Sequence, residues 1–199
     1  QYLTHAMAFY QGAFAQADSG FQALTTASQP WVAETARYML IRLSINLAME
    51  NALDEYNMFD ASKADKEEGL RAIQRIDDYL RYYPQGRYVS SAQGLYRRAY
   101  WIMGDENALS QHYQQVIATP TTLDTLQELN DEIDNKLLES ATITQAPAAP
   151  TLLLVQDIKR LRSDKGGLQL PPLTAEDVQR QKPVFDAADM QQEYLYLQA

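Results

Sequence analysis

The sequence contains no cysteine, and it is also poor in histidine, glycine and proline. Its 199 residues include two histidines, eight glycines and eight prolines. Without a thiol the chain forms no disulfide, holds no zinc through thiolates and has no cysteine nucleophile. The two histidines, His5 and His112, stand far apart and outside the His-Glu-x-x-His spacing of a zinc-binding helix. We therefore expect neither a metal nor another cofactor.

Long apolar runs and excess positive charge are missing as well. No stretch approaches the roughly 18 consecutive apolar residues of a membrane-spanning helix, and the first residues resemble no export signal. The formal net charge is −9 at pH 7 and the isoelectric point is near 4.7, which opposes general binding to nucleic acid or to anionic membranes. We expect no transmembrane segment in this chain and no nucleic-acid partner.

Apolar residues recur at helical spacing along most of the chain, and this pattern predicts an all-α fold. The first helix has its apolar positions at Leu3, Ala6, Met7 and Tyr10. Gly12 provides a sharp turn, and a second helix follows before Pro30. In that helix small and aromatic side chains alternate, which favours close packing of a helix pair. Its apolar positions are Phe14, Ala17, Phe21 and Leu24.

Four further helices are predicted before residue 120. They cover 31–53, 66–82 and 88–103, and a sixth follows the turn at Gly104-Asp105 to pair with the fifth as a third hairpin. A polar stretch at 54–65 separates the third helix from the fourth, and we interpret it as a solvated connector, although long loops often carry function. The expected inward-facing residues of the fourth and fifth helices are Leu70, Ile73, Ile76, Tyr79, Leu80, Ala92, Leu95, Tyr96, Ala99 and Ile102. The sixth helix carries its apolar residues at Ala108, Leu109, Tyr113, Val116 and Ile117.

A seventh helix carries one narrow apolar stripe and is capped by Thr121 with Asp124. The stripe consists of Leu126, Leu129, Ile133 and Leu137. It suits a helix that closes the end of a helical stack. Docking of a partner helix and self-association through the same four residues are the alternatives.

The composition changes at residues 142–151, where alanine and proline alternate as in a semi-extended linker. We therefore predict a helical repeat domain at 1–141, a linker at 142–151, and short helices with a tail at 152–199. In that tail one helix starts near Leu152, and another is capped by Thr174 and ends before Pro183. The tail either packs back on the repeats or leads into a further domain.

Two segments carry a family resemblance. The order of Gly12, aromatic, alanine, aromatic, apolar and Pro30 resembles the spacing of tetratricopeptide repeats. The segment 31–100 resembles the tetratricopeptide lipoproteins of the bacterial outer-membrane barrel-assembly machinery and related envelope proteins. The matching residues are Tyr38-Met39, Asn46, Ala48, Phe59-Asp60, Asp65, Ala72, Tyr83-Pro84-Gln85-Gly86-Arg87-Tyr88 and Ala92. The lipid-modified cysteine of those proteins has no counterpart here.

The resemblance implies a right-handed solenoid of three helix hairpins with a capping helix and a proline-containing tail. It also implies a periplasmic or outer-membrane-associated location, with a cytoplasmic one left open. In such arrays the first helix of each hairpin lines a groove that holds a protein or peptide. Guanidinium groups there bind carboxylates through two parallel hydrogen bonds, although ordinary surface arginines are the alternative. The candidate partner-binding residues are Arg37, Tyr38, Arg42, Asn46, Arg97 and Arg98.

No motif of an enzyme is found. The sequence has no Gly-x-Ser-x-Gly, no phosphate-binding loop and no dinucleotide fingerprint, and its acidic clusters lack the spacing of a calcium loop. We expect a non-enzymatic interaction scaffold of the bacterial envelope. The alternative is a helical accessory or regulatory domain of a larger envelope enzyme whose catalytic part lies outside this sequence.

Overall fold

The computed structural model describes residues 1–56, 59–119, 122–138, 143, 148–162 and 170–199. The regular structure in these ranges is helical, which confirms the predicted all-α class. The helices are α1 (Tyr2–Tyr10), α2 (Phe14–Leu24), α3 (Pro30–Met49), α4 (Lys66–Tyr82), α5 (Val89–Met103), α6 (Glu106–Ile117), α7 (Leu123–Ile133), α8 (Pro150–Leu161), α9 (Ala175–Ala187) and α10 (Gln191–Gln198), with a π-helical turn at Asp134–Leu138.

The chain divides into two compact units, unit 1 (Gln1–Asp105) and unit 2 (Glu106–Ala199). The division falls between α5 and α6, so the two helices of the predicted third hairpin belong to different units. The sequence analysis placed the boundary later, at 142–151. Helix α8 already begins at Pro150, and Ile143 and Ala149 are fully buried. The described part of the predicted semi-extended linker thus includes two buried side chains and the start of a helix, and its residues 142 and 144–147 lie outside the described ranges.

Helix α3 is the centre of unit 1, because it contacts α1, α2, α4 and α5. Its side chains enter three apolar clusters: Leu43 packs with residues of α1 and α2, Ile41 packs against α4, and Ile45 packs near α5. A helix enclosed on several sides is apolar around most of its circumference. This explains why the α3 sequence is rich in apolar residues without one clear stripe.

The turn between α4 and α5 is fixed to α3 through the hydroxyl of Tyr79. This buried hydroxyl donates to Oε1 of Glu34 at 2.9 Å and accepts from the backbone N–H of Tyr88 at 3.0 Å. The same Glu34 oxygen accepts from the backbone N–H of Arg87 at 2.6 Å. Burial, with the negative charge of Glu34, raises the pKa of Tyr79 to about 12. The Tyr-Pro-Gln-Gly-Arg-Tyr segment is therefore docked through a closed polar network.

Several expectations for the helices of unit 1 are wrong. Leu70 was expected inward but is 48% exposed. The buried residues of α4 include Gly69, Ala72 and Ile76, and Leu70 is rotated by about 100° from Gly69 around the helix. Helix α3 ends at Met49 instead of 53, because the chain turns so that Leu53 forms a β-bridge with Phe59.

In unit 2 the predicted Thr174 cap is confirmed, but the predicted end of its helix is wrong. The Thr174 side chain accepts from the Asp177 N–H, and the Asp177 carboxylate accepts from the Thr174 N–H. Helix α9 nevertheless continues through Pro183 to Ala187. Beyond the proline, Phe185 is fully buried and its ring lies 6.1 Å from that of Tyr194. This burial offsets the hydrogen bond that a proline removes.

The apolar stripe of the seventh helix is mostly covered. Leu129, Ile133 and Leu137 are buried, and only Leu126 is substantially exposed, at 39%. The stripe is therefore not a free surface for a second copy of the chain, which corrects the hypothesis of self-association through these four residues. The expected Thr121 cap lies outside the described residues, and the observed N-cap of α7 is Thr122.

Helices α8 and α9 share a buried charged cluster. Asp157 is fully buried, and its Oδ1 lies 3.4 Å from Nη1 of Arg160. The Arg160 guanidinium also pairs with Asp177 at 2.8 Å and donates to the carbonyl of Pro171. Oδ2 of Asp157 has no hydrogen-bond partner among the described residues. Burial therefore raises the pKa of Asp157 to about 6, although Gln181 and Arg160 oppose the shift.

Gly86→Ala should destabilise unit 1. A Cβ at this position would lie 2.5 Å from the Tyr79 hydroxyl and 2.6 Å from Oε1 of Glu34, which forces their hydrogen bond apart. We expect a loss of about 1–3 kcal/mol in the free energy of unfolding.

The matched control is Gly94→Ala in α5, where a Cβ meets only Arg97 Nη2 at 4.0 Å. That variant should gain up to about 1 kcal/mol from helix propensity. Urea unfolding followed by the fluorescence of the two tryptophans, Trp31 and Trp101, measures both, and equal effects would contradict the docking role of Gly86.

The buried Asp157 should make unit 2 less stable as pH rises. Its folded pKa of about 6 lies above the value in an unfolded chain, so the folded state binds the proton more tightly. The free energy of unfolding should therefore fall between about pH 4 and pH 6, by roughly 3 kcal/mol. Asp157→Asn lacks this ionisation, so its stability relative to wild type should increase by that amount over the same range. Hydrogen exchange of the α8 and α9 amides measures the difference, and a difference that is constant with pH would refute it.

Candidate functional site

The predicted partner-binding residues of α3 lie on opposite sides of that helix. Successive helical residues are separated by about 100°, so Arg42 and Asn46 point roughly 140° and 180° away from Arg37. Arg42 lies beside α1, with its Cζ 5.2 Å from the ring centre of Phe9. Arg37 instead lines a pocket shared with α2 and α4. The six candidates are therefore not one constellation.

The side chain of Arg42 has two aromatic neighbours. Its Cζ is 6.0 Å from the ring centre of Tyr10, and its Nη1 donates a weak hydrogen bond to Sδ of Met39 at 3.9 Å. No described carboxylate forms a salt bridge with it. Asn46 is exposed one turn further along and donates to the carbonyl of Arg42 at 2.7 Å. The two side chains thus continue along one face of α3.

Two of the remaining candidates, Tyr38 and Arg98, contact residues near the same face. The Tyr38 ring stacks on Tyr88 with a centroid distance of 4.4 Å and an interplanar angle of 7°, so its role is packing of the docked turn. Arg98 of α5 is exposed, and its Nη2 lies 3.4 Å from Sδ of Met49 at the end of α3. It forms no salt bridge among the described residues. Its neighbour Arg97 is half-buried.

An apolar strip of α1 borders Arg42. Leu3, Met7 and Tyr10, which are among the predicted apolar positions of α1, are 74%, 61% and 73% exposed. The opposite side of α1 meets α2, where His5 fills the space beside Gly20. Other apolar residues of α1, including Phe9, pack into the core with α2 and α3. A helix apolar around its circumference is the signal that could have revealed a second apolar face.

We call these residues together the groove face. It consists of Leu3, Met7 and Tyr10 of α1, Tyr38, Arg42 and Asn46 of α3, and Arg98 of α5. Chemically it offers apolar area and guanidinium groups side by side. Such a surface suits an amphipathic segment that carries carboxylates.

A second concave feature lies among α2, α3 and α4, with a cavity of about 350 Å³. We call it the arginine pocket. Its lining is predominantly polar and charged, with three arginines and two aspartates. The lining residues are Asp18, Gln22, Thr25, Arg37, Leu40, Arg71, Arg75, Asp78 and Tyr79.

Arg75 joins the three helices around this pocket. Its Nη2 pairs with Asp18 of α2 at 2.6 Å, and its Nη1 donates to the Leu40 carbonyl at 2.9 Å and to Oγ of Ser44 at 2.8 Å. The sequence analysis did not select Arg71 or Arg75 because it considered only the first helix of each hairpin. Arg71 and Arg75 are four residues apart, and this spacing is the sequence signal that places both side chains on one face of α4.

Other kinds of site have no support in the described parts of the chain. Within them, no group of three or more histidine, aspartate or glutamate residues is arranged to hold a metal ion. Among the same residues, none of the helices has the length and apolar character needed to cross a membrane.

Comparison with known proteins adds no relative. The chain matches no protein-family model, no curated protein and no solved structure.

Arg75→Gln should destabilise unit 1 much more than Arg71→Gln. The first change removes the hydrogen bonds that join Asp18, Leu40 and Ser44 and leaves Asp18 without its cation. Since hydrogen bonds of charged groups contribute about 1.5–3 kcal/mol, we expect a loss of about 2 kcal/mol. Arg71 is half-exposed and pairs with Glu68 on its own helix at 2.9 Å, so its loss should stay below about 0.5 kcal/mol. Urea unfolding monitored by tryptophan fluorescence tests this, and similar losses in both variants would contradict it.

Proposed function

We propose that unit 1 is a non-enzymatic scaffold of tetratricopeptide-like helix hairpins, and that it binds an acidic amphipathic peptide segment of a protein partner on the groove face. The observation that carries this proposal is the state of Arg42 and Arg98. Neither forms a salt bridge among the described residues, although the chain holds 26 acidic residues against 17 basic ones. Two such cations on one face favour a carboxylate supplied by another molecule.

The apolar strip of α1 supports the same occupant. Leu3, Met7 and Tyr10 recur at the spacing of one helical face, and they extend over about 10 Å along α1. A partner helix that places apolar residues on this strip brings its polar edge beside Arg42. The partner helix removes water around Arg42 and the partner's carboxylate, which strengthens the electrostatic attraction between these two groups.

The packing of unit 1 is compatible with a repeat scaffold. Helices α1 with α2 and α3 with α4 pack as consecutive pairs, and α3 contacts both α1 and α5. In repeat proteins an equivalent arrangement creates an extended surface for a partner. The location in the bacterial envelope is part of the proposal and rests on the sequence resemblance alone.

The test uses two synthetic peptides that form the same amphipathic helix, one with glutamate and one with glutamine on the polar face. Wild-type protein should bind the glutamate peptide, as measured by fluorescence anisotropy, and binding should weaken with added salt. The double variant Arg42→Glu, Arg98→Glu should bind at least about tenfold more weakly, because both charge pairs become repulsive.

The control carries the same change of net charge elsewhere. Lys66→Glu with Arg162→Glu alters two exposed residues outside the groove face and should leave the affinity within about twofold. An additional variant, Met7→Gln, should weaken binding of both peptides by removing apolar contact. Equal loss in the two double variants, or equal binding of both peptides by wild type, would overturn the proposal.

A further inference from the structure

Arg37 differs from the other charged residues of the arginine pocket. Its Cζ lies 4.0 Å from the ring centre of Tyr82, a geometry that fixes the guanidinium plane by a cation–π contact. Its Nε is buried and has no hydrogen-bond partner in the described part of the chain. A buried donor without an acceptor is costly, which sets Arg37 apart from Arg71 and Arg75 with their paired guanidinium groups.

The other charges around the pocket are already compensated. Arg75 pairs with Asp18 at 2.6 Å, and Arg71 pairs with Glu68 at 2.9 Å. Asp78 pairs with Arg81, which lies outside the pocket lining. Once these three pairs are counted, Arg37 is the charged residue of the pocket lining that has no counter-charge among the described residues.

We infer that the arginine pocket binds a small polar ligand that carries one carboxylate or phosphoryl group, with Arg37 as its main anchor. Guanidinium groups bind both kinds of anion through paired N–H donors, and the uncompensated charge of Arg37 matches a single anionic group. The volume of about 350 Å³ is in the range of small-molecule sites. The side chains of Gln22 and Thr25 at the same pocket offer hydrogen bonds to the neutral part of the ligand.

This site is independent of the groove face. Arg37 and Arg42 lie on different sides of α3, and no residue of the groove face lines the pocket. Binding of a small anion and binding of a peptide can therefore be tested separately. If anion binding in the arginine pocket is not observed, the proposal of peptide binding on the groove face still stands, and the reverse also holds.

The test observes the arginine Nε–H resonances of the full chain by ¹H–¹⁵N NMR. The Arg37 signal is identified by its loss in Arg37→Lys. Protein is titrated with inorganic phosphate, with acetate, or with sodium chloride at matched ionic strength. We expect the Arg37 signal to shift in a saturable manner with phosphate, with acetate or with both, and the titrant that saturates identifies the anionic group. The Arg42 and Arg87 signals should follow ionic strength only. Failure of both anions to saturate the Arg37 signal, or equal saturation at Arg42, would overturn the inference.

Two variants test the site itself. Their anion titrations are followed through the Nε–H signals of Arg71 and Arg75, because the Arg37 signal is lost when that residue is replaced. Arg37→Gln should weaken anion binding about tenfold or more, since it removes the charged donor. Gln22→Phe places a larger side chain at an exposed position of the lining and should weaken binding without changing any charge. Arg42→Gln is the control and should bind the anion as wild type does. Tryptophan fluorescence establishes that each variant is folded, and unchanged binding in both pocket variants would refute the assignment.

Discussion

The buried hydroxyl of Tyr79 is the interaction on which the arrangement of unit 1 depends. It connects Glu34 of α3 with the backbone at the start of α5, so one side chain of α4 joins three helices. Gly86 is required in the same turn because a larger residue would occupy the space of this network. The position of α5, and with it that of Arg98 beside Met49, follows from a polar contact within an otherwise apolar core.

The central position of α3 explains why unit 1 has two separate surfaces that share no residue. Four helices contact α3, so its exposed residues lie in the openings between them. One opening, toward α2 and α4, is the arginine pocket; the other, bordered by α1 and α5, is the groove face. Neighbouring residues in the sequence therefore serve different surfaces, as Arg37 and Tyr38 do.

Sequence periodicity predicted the helices well because their turns carry strong local signals, such as Gly12, Asp65 and the Thr174 cap. It failed where tertiary packing decides. The exposed strip at Leu3 and Met7 has the same period as a core face, so only the position of α2 and α3 distinguishes the two. Pro183 is tolerated because of burial further along its helix. For the candidate site, residue type suggested the arginines, but their pairing partners lie on distant segments that the sequence does not bring together.

Backbone hydrogen bonds hold the two ends of the connector between α3 and α4 close together. The Asp65 N–H donates to the Ala48 carbonyl at 3.0 Å, the Asp60 N–H donates to that of Ala52 at 2.8 Å, and the ring of Phe59 lies 4.1 Å from that of Trp101. A loop closed in this way keeps its endpoints fixed whatever its length. The connector is consequently a position where this chain can accept an inserted domain or a reporter sequence while α3 and α4 keep their register.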